Sequence, residues 1–133
     1  MSMRKISIFT ILLASFFLFG GSTSPMQSEN SAINNAIKKG NSRDLSRHFN
    51  NSIDLLIPGN EGTYSKAQAE IIVGKFFKSN PPKSFTVSQE ENTPDRGIYT
   101  IGRYMSTNSK TYRVYYLTKK VGPNYRIQRL QFE

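Results

Sequence analysis

The sequence predicts an α+β domain in which N-terminal helices pack on a curved antiparallel sheet. An amphipathic helical segment with a strong apolar face occupies residues 65–79. Four strand-like segments follow it, and each is joined to the next by a short turn-rich connection. Because helices followed by a run of strands are typical of α+β domains, we expect the helices to cover one face of the sheet.

The first residues have the pattern of a secretory signal peptide. Arg4 and Lys5 form a cationic start, residues 6–20 are uncharged, and small or turn-forming residues occupy 21–25. The apolar stretch is shorter than the roughly 18 to 20 residues needed to cross a bilayer, so a permanent membrane anchor is the weaker alternative.

Cleavage is expected between Ser22 and Gln27. We therefore assign residues 1–25 to the signal peptide and residues 26–133 to a single domain. The protein is expected to be exported, to the periplasm, and to contact a membrane only through an uncleaved signal.

The composition limits the chemistry that the chain can support. It has no cysteine, which excludes disulfides, a lipid-modified cysteine and a zinc site of the cysteine type. Its 18 lysines and arginines outnumber 9 acidic residues, giving a net charge of +9. Such an excess favours nucleic acid, polyanionic glycans, anionic lipid surfaces or an acidic protein as partners, and export makes nucleic acid the least suitable.

Two helices are predicted at the start of the domain. The first covers residues 28–40 and has a narrow apolar stripe. The second begins at Asn41, whose side chain can cap it, includes an apolar pair of Leu45 and Phe49, and ends at the asparagines 50–51.

A short strand and the principal helix come next. Residues 52–57 alternate apolar and polar side chains as a strand does, and the polar stretch 60–64 is predicted to be a loop. Ser65 and Gln68 form a capping box for the helix to residue 79. The apolar face of this helix consists of Ala69, Ile72, Val73, Phe76 and Phe77.

The C-terminal half is predicted to be an antiparallel meander. Its strands are residues 84–90, 97–106, 110–121 and 124–132. In the last strand Tyr125 and Ile127 have one parity, whereas Leu130 and Phe132 have the other. A β-bulge near residues 128–129 would bring all four to one side.

Several segments of the sequence resemble those of a known family. They are AIKKGNSRDLSRHF, IGRYMST, KTYRVYYLTKK and NYRIQRLQFE, and they are similar to a bacterial exported family of unknown function. That family belongs to the nuclear-transport-factor-2-like superfamily, so the resemblance implies its cone-shaped, cystatin-like α+β fold. Superfamily members include ketosteroid isomerases, dehydratases and non-catalytic binding domains, and the resemblance selects none of these functions.

No residue is an evident catalytic acid or base. Glu70 lies at the border of the principal helix, where an ion pair with Lys66 is the simpler role. His48 is the only histidine, and it is interpreted as a boundary residue at a helix end. We therefore expect no cofactor and no metal.

The segment 111–120 can present either of two rows of side chains to the helices, and we expect Tyr112, Val114 and Tyr116 to face inward. The predicted ligand pocket consists of Phe76, Tyr99, Tyr112 and Tyr116, beside Ile101. Ordinary core packing is the alternative role for these tyrosines.

The opposite row is predicted to form an interface on the outer side of the sheet, made of Arg103, Arg113, Tyr115 and Arg129. Exposed aromatic and arginine side chains suit an acidic partner or a homodimer, as is common in the superfamily, and a solvated sheet face is the alternative.

The sequence thus favours an exported, non-enzymatic binding or interaction module that uses the cone pocket or the outer sheet face. Its partner would be a small molecule, an acidic protein or a second copy. The alternative is a lyase or isomerase that acts on a small hydrophobic substrate in the cone interior, with Tyr99, Tyr112 or Glu70 transferring protons.

Overall fold

The structure, a computed structural model, describes residues 25–133. The predicted signal peptide therefore lies outside the described residues, except for its last residue. Within the described part, no helix has the length and apolar character needed to cross a membrane.

Three helices and six strands are present in residues 25–133. In chain order they are α1 (Pro25–Lys39), α2 (Ser42–Ser46), β1 (Phe49–Ile57), β2 (Asn60–Ser65), α3 (Lys66–Ser79), β3 (Pro82–Asn92), β4 (Gly97–Ser106), β5 (Thr111–Val121) and β6 (Asn124–Phe132). The strands form a single sheet in the order β2-β1-β6-β5-β4-β3. The predicted α+β class, with helices packed on a curved sheet, is confirmed.

One strand pairing differs from the predicted antiparallel arrangement, because β1 lies parallel to β6. Parallel neighbours need a long connection between them. Here α3 and the meander β3 to β5 provide it, and β6 returns to the middle of the sheet.

Two local predictions in the first half were wrong. The stretch predicted as a polar loop is strand β2, because its backbone pairs with β1 from Ser52–Ser65 to Ile57–Asn60 although its side chains are mostly exposed. The second helix ends at Ser46, and Phe49 belongs to β1, where it pairs with Ile127.

The predicted bulge in β6 is confirmed. Leu117 pairs with Arg129 and the next residue of β5, Thr118, pairs with Ile127, so Gln128 is the extra residue. As a result Ile127 and Leu130 both point into the core, where neither is exposed.

Helix α3 fills the concave side of the sheet. Its capping box forms as predicted, with both the Ser65 and the Gln68 side-chain hydrogen bonds present. The ring of Phe76 lies 4.6 Å from that of Phe132 and 5.1 Å from that of Tyr112, measured between centroids. The sheet therefore curves around the double phenylalanine Phe76–Phe77, as the sequence predicts.

Candidate functional site

The two faces of the sheet differ in their surroundings. The inner face meets the helices, and its residues on β4 and β5 are mostly buried. The outer face of these strands carries partly exposed apolar and charged side chains: Tyr99, Ile101, Arg103, Met105, Arg113, Tyr115 and Leu117. We call this set the outer face.

Three of the four predicted pocket residues lie on the helix side. Phe76, Tyr112 and Tyr116 belong to or pack against the core, and Tyr116 is 0% exposed. The Tyr116 hydroxyl donates to Asn34 Oδ1 at 2.7 Å, and the Tyr112 hydroxyl donates to Asn80 Oδ1 at 3.0 Å. The inward row of β5 is therefore the one that the sequence predicts.

The predicted position of Tyr99 in the pocket was wrong. Tyr99 pairs with Leu117 on the outer face, whereas its neighbour Thr100 pairs with Tyr116 on the inner face. Ile101 has the same parity as Tyr99 and is also on the outer face. Alternation along β4 fixes these positions, since successive side chains of a strand point to opposite sides.

Sequence reasoning missed a polar centre at the end of α3. The Asn80 carbonyl oxygen accepts the Tyr104 hydroxyl at 2.5 Å, and its side-chain oxygen accepts both Tyr112 and Asn108 Nδ2. Asn80 also caps α3 by donating from its backbone to Phe76. In the sequence, the only sign of this polar centre is an asparagine that lies at the end of a helix and before two prolines.

Two buried tyrosines of the inner face have raised pKa values. Burial raises the pKa of Tyr104, with a further contribution from Tyr112, and burial also raises the pKa of Tyr116. Both phenols therefore stay protonated and are weak acids. No carboxylate is buried among residues 30–133, and the described residues include no cluster of three or more metal-binding side chains.

His48 and Glu70 take up positions at the edge of the helix layer. Both are half-buried, His48 between α2 and β1 and Glu70 in the first half of α3. The His48 carbonyl accepts the backbone N–H of Ile127, which connects this boundary to β6.

Thr100 supplies a stability test of the inner face. Its hydroxyl is buried and reaches no partner of normal hydrogen-bond geometry within the described chain, although its proximity to the Tyr116 hydroxyl lowers the pKa of that phenol against the effect of burial. Because an unsatisfied buried polar group costs about 1–3 kcal/mol, we expect Thr100→Val to keep or raise the free energy of unfolding, measured by urea denaturation.

Thr118→Val is the matched control, since the Thr118 hydroxyl is equally buried but donates to the Ile98 carbonyl at 3.3 Å. We expect this control to lower stability by about 1 kcal/mol. A larger loss for Thr100→Val than for Thr118→Val would show that the Thr100 hydroxyl makes a favourable interaction.

Aromatic rings form the centre of the outer face. The rings of Tyr99 and Tyr115 stack with centroids 6.0 Å apart and an interplanar angle of 27°. The Tyr99 hydroxyl donates to Glu91, which raises the pKa of Tyr99 and, together with Gln89, lowers the pKa of Glu91. These contacts hold the tyrosine pair in place on the surface.

The predicted interface arginines fall into two groups. Arg103 pairs directly with Arg113 across β4 and β5, both are exposed, and neither has an ion-pair partner in the described part of the chain. Arg129 instead lies 3.5 Å from Asp54, beside a cleft of about 370 Å³ between β6 and the β1–β2 hairpin. The structure thus brings Arg103, Arg113 and Tyr115 together and pairs Arg129 separately.

Both the fold and the sequence of this chain are similar to those of known proteins. A protein of Bacteroides uniformis described as a DUF4783 family protein is 26% identical over 77% of this chain and 94% of its own, with a TM-score of 0.72. A DUF4783 family protein of Bacteroides ovatus is 25% identical over 77% of this chain and 91% of its own, with a TM-score of 0.71.

A domain of unknown function with a cystatin-like fold from Nostoc punctiforme is 11% identical over 80% of this chain and 73% of its own. Its TM-score of 0.62 supports the fold alone. Curated proteins give no match. Residues 30–133 match the family described as Domain of unknown function (DUF4783), and the chain belongs to that family, with the cystatin-like, nuclear-transport-factor-2-like cone fold.

Proposed function

We propose that the protein is an exported, non-enzymatic interaction module that binds an acidic segment of a protein partner on the outer face of its sheet. The observation that carries this proposal is the cross-strand pair of Arg103 and Arg113 without a carboxylate partner in the described chain, next to the stacked Tyr99 and Tyr115.

The arginine pair is unfavourable for the isolated domain. Like charges directly opposite each other on a sheet lower stability. Glu133 lies opposite Arg113 on its other side, through two backbone hydrogen bonds, but no ion pair joins their side chains among the described residues. A partner carboxylate placed between the two guanidinium groups would accept charge-assisted hydrogen bonds from both. The pair is therefore suited to binding an external carboxylate.

The neighbouring residues favour a protein as the partner. Tyrosine, methionine and arginine are enriched in protein interfaces, and Met105 and Tyr115 flank the arginine pair. Ile101 and Leu117 extend the apolar area, so a partner could bury aliphatic side chains beside its carboxylates.

The interior is the less suitable place for a ligand or a reaction. Phe76, Tyr104 and Phe132 fill the space between α3 and the sheet, and the hydroxyls of Tyr112 and Tyr116 already have protein partners. Of the three residues considered for proton transfer in a lyase or isomerase, Tyr99 lies on the outer face, Tyr112 donates its hydroxyl to Asn80, and Glu70 is half-buried on α3.

A photo-crosslinking experiment in the host tests the proposal. A photoreactive amino acid replaces Tyr115 in one variant and Val121, which is 47% exposed at the end of the same strand, in the control variant. We expect position 115 to crosslink to an acidic protein identified by mass spectrometry, and position 121 to give little of this product.

Substitution of the two arginines tests whether they bind the partner. Combining Arg103→Gln with Arg113→Gln should lower the crosslink yield at position 115 at least tenfold, since hydrogen bonds to charged groups contribute about 1.5–3 kcal/mol each. An unchanged yield would contradict the proposal. Crosslinks only to a second copy of the chain would replace the acidic partner with a homodimer.

A further inference from the structure

The positive charge of the domain is concentrated on its helix side. The segments 25–48 and 66–83, which contain the helices, hold eight basic residues and three acidic ones. The sheet segments 49–65 and 84–133 hold eight basic and six acidic side chains. The charge excess is therefore a property of the helix layer much more than of the sheet.

Seven of these basic residues form a surface that we call the basic helix face. Close contacts join its parts, because Gly40 lies against Pro82 and Gly74 lies against Ser42. All seven side chains are exposed. They are Lys38 and Lys39 at the end of α1, Arg43 and Arg47 around α2, Lys75 and Lys78 of α3, and Lys83 of β3.

Few of the basic side chains on this face form ion pairs. Among the described residues only Arg47 of the seven has an ion-pair partner, Asp44, at 3.5 Å. The charge of the other six is therefore available to an external anionic surface.

An exposed apolar residue lies on the same face. Ile71 is 60% exposed, the largest exposed fraction recorded for a large hydrophobic side chain in the described structure. Lys75 and Lys78 follow it at spacings of four and seven residues, which places all three on one face of α3. Helix α3 thus presents an aliphatic side chain flanked by cations.

We propose that the basic helix face binds the surface of an anionic lipid bilayer. Lysines near an anionic membrane attract it electrostatically, and a nearby aliphatic side chain can enter the headgroup region. Lysine is depleted in protein interfaces, and α3 offers no aromatic side chain on this face for stacking with nucleic-acid bases. The composition of this surface therefore fits a lipid surface better than it fits a folded partner.

Vesicle binding tests this inference, and the protein is used in the form that its host produces. Sedimentation compares mixed phosphatidylglycerol–phosphatidylcholine vesicles with pure phosphatidylcholine vesicles. We expect binding only to the anionic vesicles, and we expect it to weaken as salt is added, because exposed charges are screened.

A pair of charge-matched variants locates the surface. Lys75→Gln with Lys78→Gln should lower the partition coefficient by roughly fivefold for each lysine. Arg103→Gln with Arg113→Gln removes the same charge from the opposite side of the domain and should change partitioning less than twofold. Ile71→Ser should weaken the binding that remains at high salt.

Three outcomes would overturn the inference. They are equal binding to both kinds of vesicle, equal losses in the two double variants, and binding of polyglutamate but not of anionic vesicles through Lys75 and Lys78. The last outcome would identify an acidic protein as the occupant. Because the outer-face variants are the control here, failure of this inference leaves the test of the proposed function unaffected.

Discussion

Phe76→Ala is expected to lower the free energy of unfolding by about 3–5 kcal/mol, the usual cost of truncating a buried phenylalanine. Phe76 is 6% exposed, and its ring contacts those of Phe77, Tyr104, Tyr112 and Phe132. Removing it leaves a cavity between α3 and the sheet. Equilibrium urea denaturation of the purified protein measures the loss.

Ile71→Ala is the control on the same helix, because its side chain is 60% exposed. It should change stability by less than about 1 kcal/mol, since surface substitutions usually have small effects. Similar losses in the two variants would contradict the packing of α3 described above, because Phe76 would then not be the centre of the core.

Asn80→Ala is expected to lower the free energy of unfolding by about 2–3 kcal/mol. The substitution removes the acceptor of the Tyr112 hydroxyl and of Asn108 Nδ2, and it also removes the side-chain bond from Asn80 to the Phe76 carbonyl. A buried donor left without a partner costs about 1–3 kcal/mol. Urea denaturation again supplies the measurement.

A double-mutant cycle with Tyr112→Phe separates the hydrogen bond from the other effects. Residues in direct contact have coupling energies of about 0.5–3 kcal/mol, so the two losses should add to more than the loss in the double variant. The Tyr104 hydroxyl, which donates to the Asn80 backbone carbonyl, keeps its partner throughout. Strict additivity would show that Tyr112 and Asn80 act independently.

The sequence predicted the elements whose local signals are strong. The capping box at Ser65 and Gln68 fixed the start of α3, and the two prolines after Asn80 fixed its end. The parity change in β6 located the bulge at Gln128, because apolar residues on both sides of it must reach one core. These signals lie within a few residues of the features that they predict.

Features that depend on distant partners could not be predicted in the same way. β2 has few apolar side chains, and its backbone pairing with β1 makes it a strand. In β4 the outer row includes Tyr99 and Ile101, whereas the inner row includes Gly102, which is covered by the Phe85 ring. The two rows have a similar content of apolar residues, so the sequence alone predicts the wrong side of the sheet for Tyr99.

The positions of the candidate interface residues could likewise be predicted only in part from the sequence. Strand alternation predicted that Arg103, Arg113 and Tyr115 lie together on the outer side of the sheet. Their grouping required the register of β4 against β5, which puts the two arginines opposite each other. The ion pair of Arg129 with Asp54 required the position of β1, which only the complete sheet supplies.

The central position of β6 governs when the domain can form. Strand β6 comes after the other five strands in chain order and separates the β2–β1 hairpin from β3, β4 and β5, so the sheet is continuous only once β6 has paired along both of its edges. Pairing that spans the whole sequence is slow to establish. A polypeptide with this topology is therefore expected to complete its sheet late in folding, after the hairpin and the meander have formed.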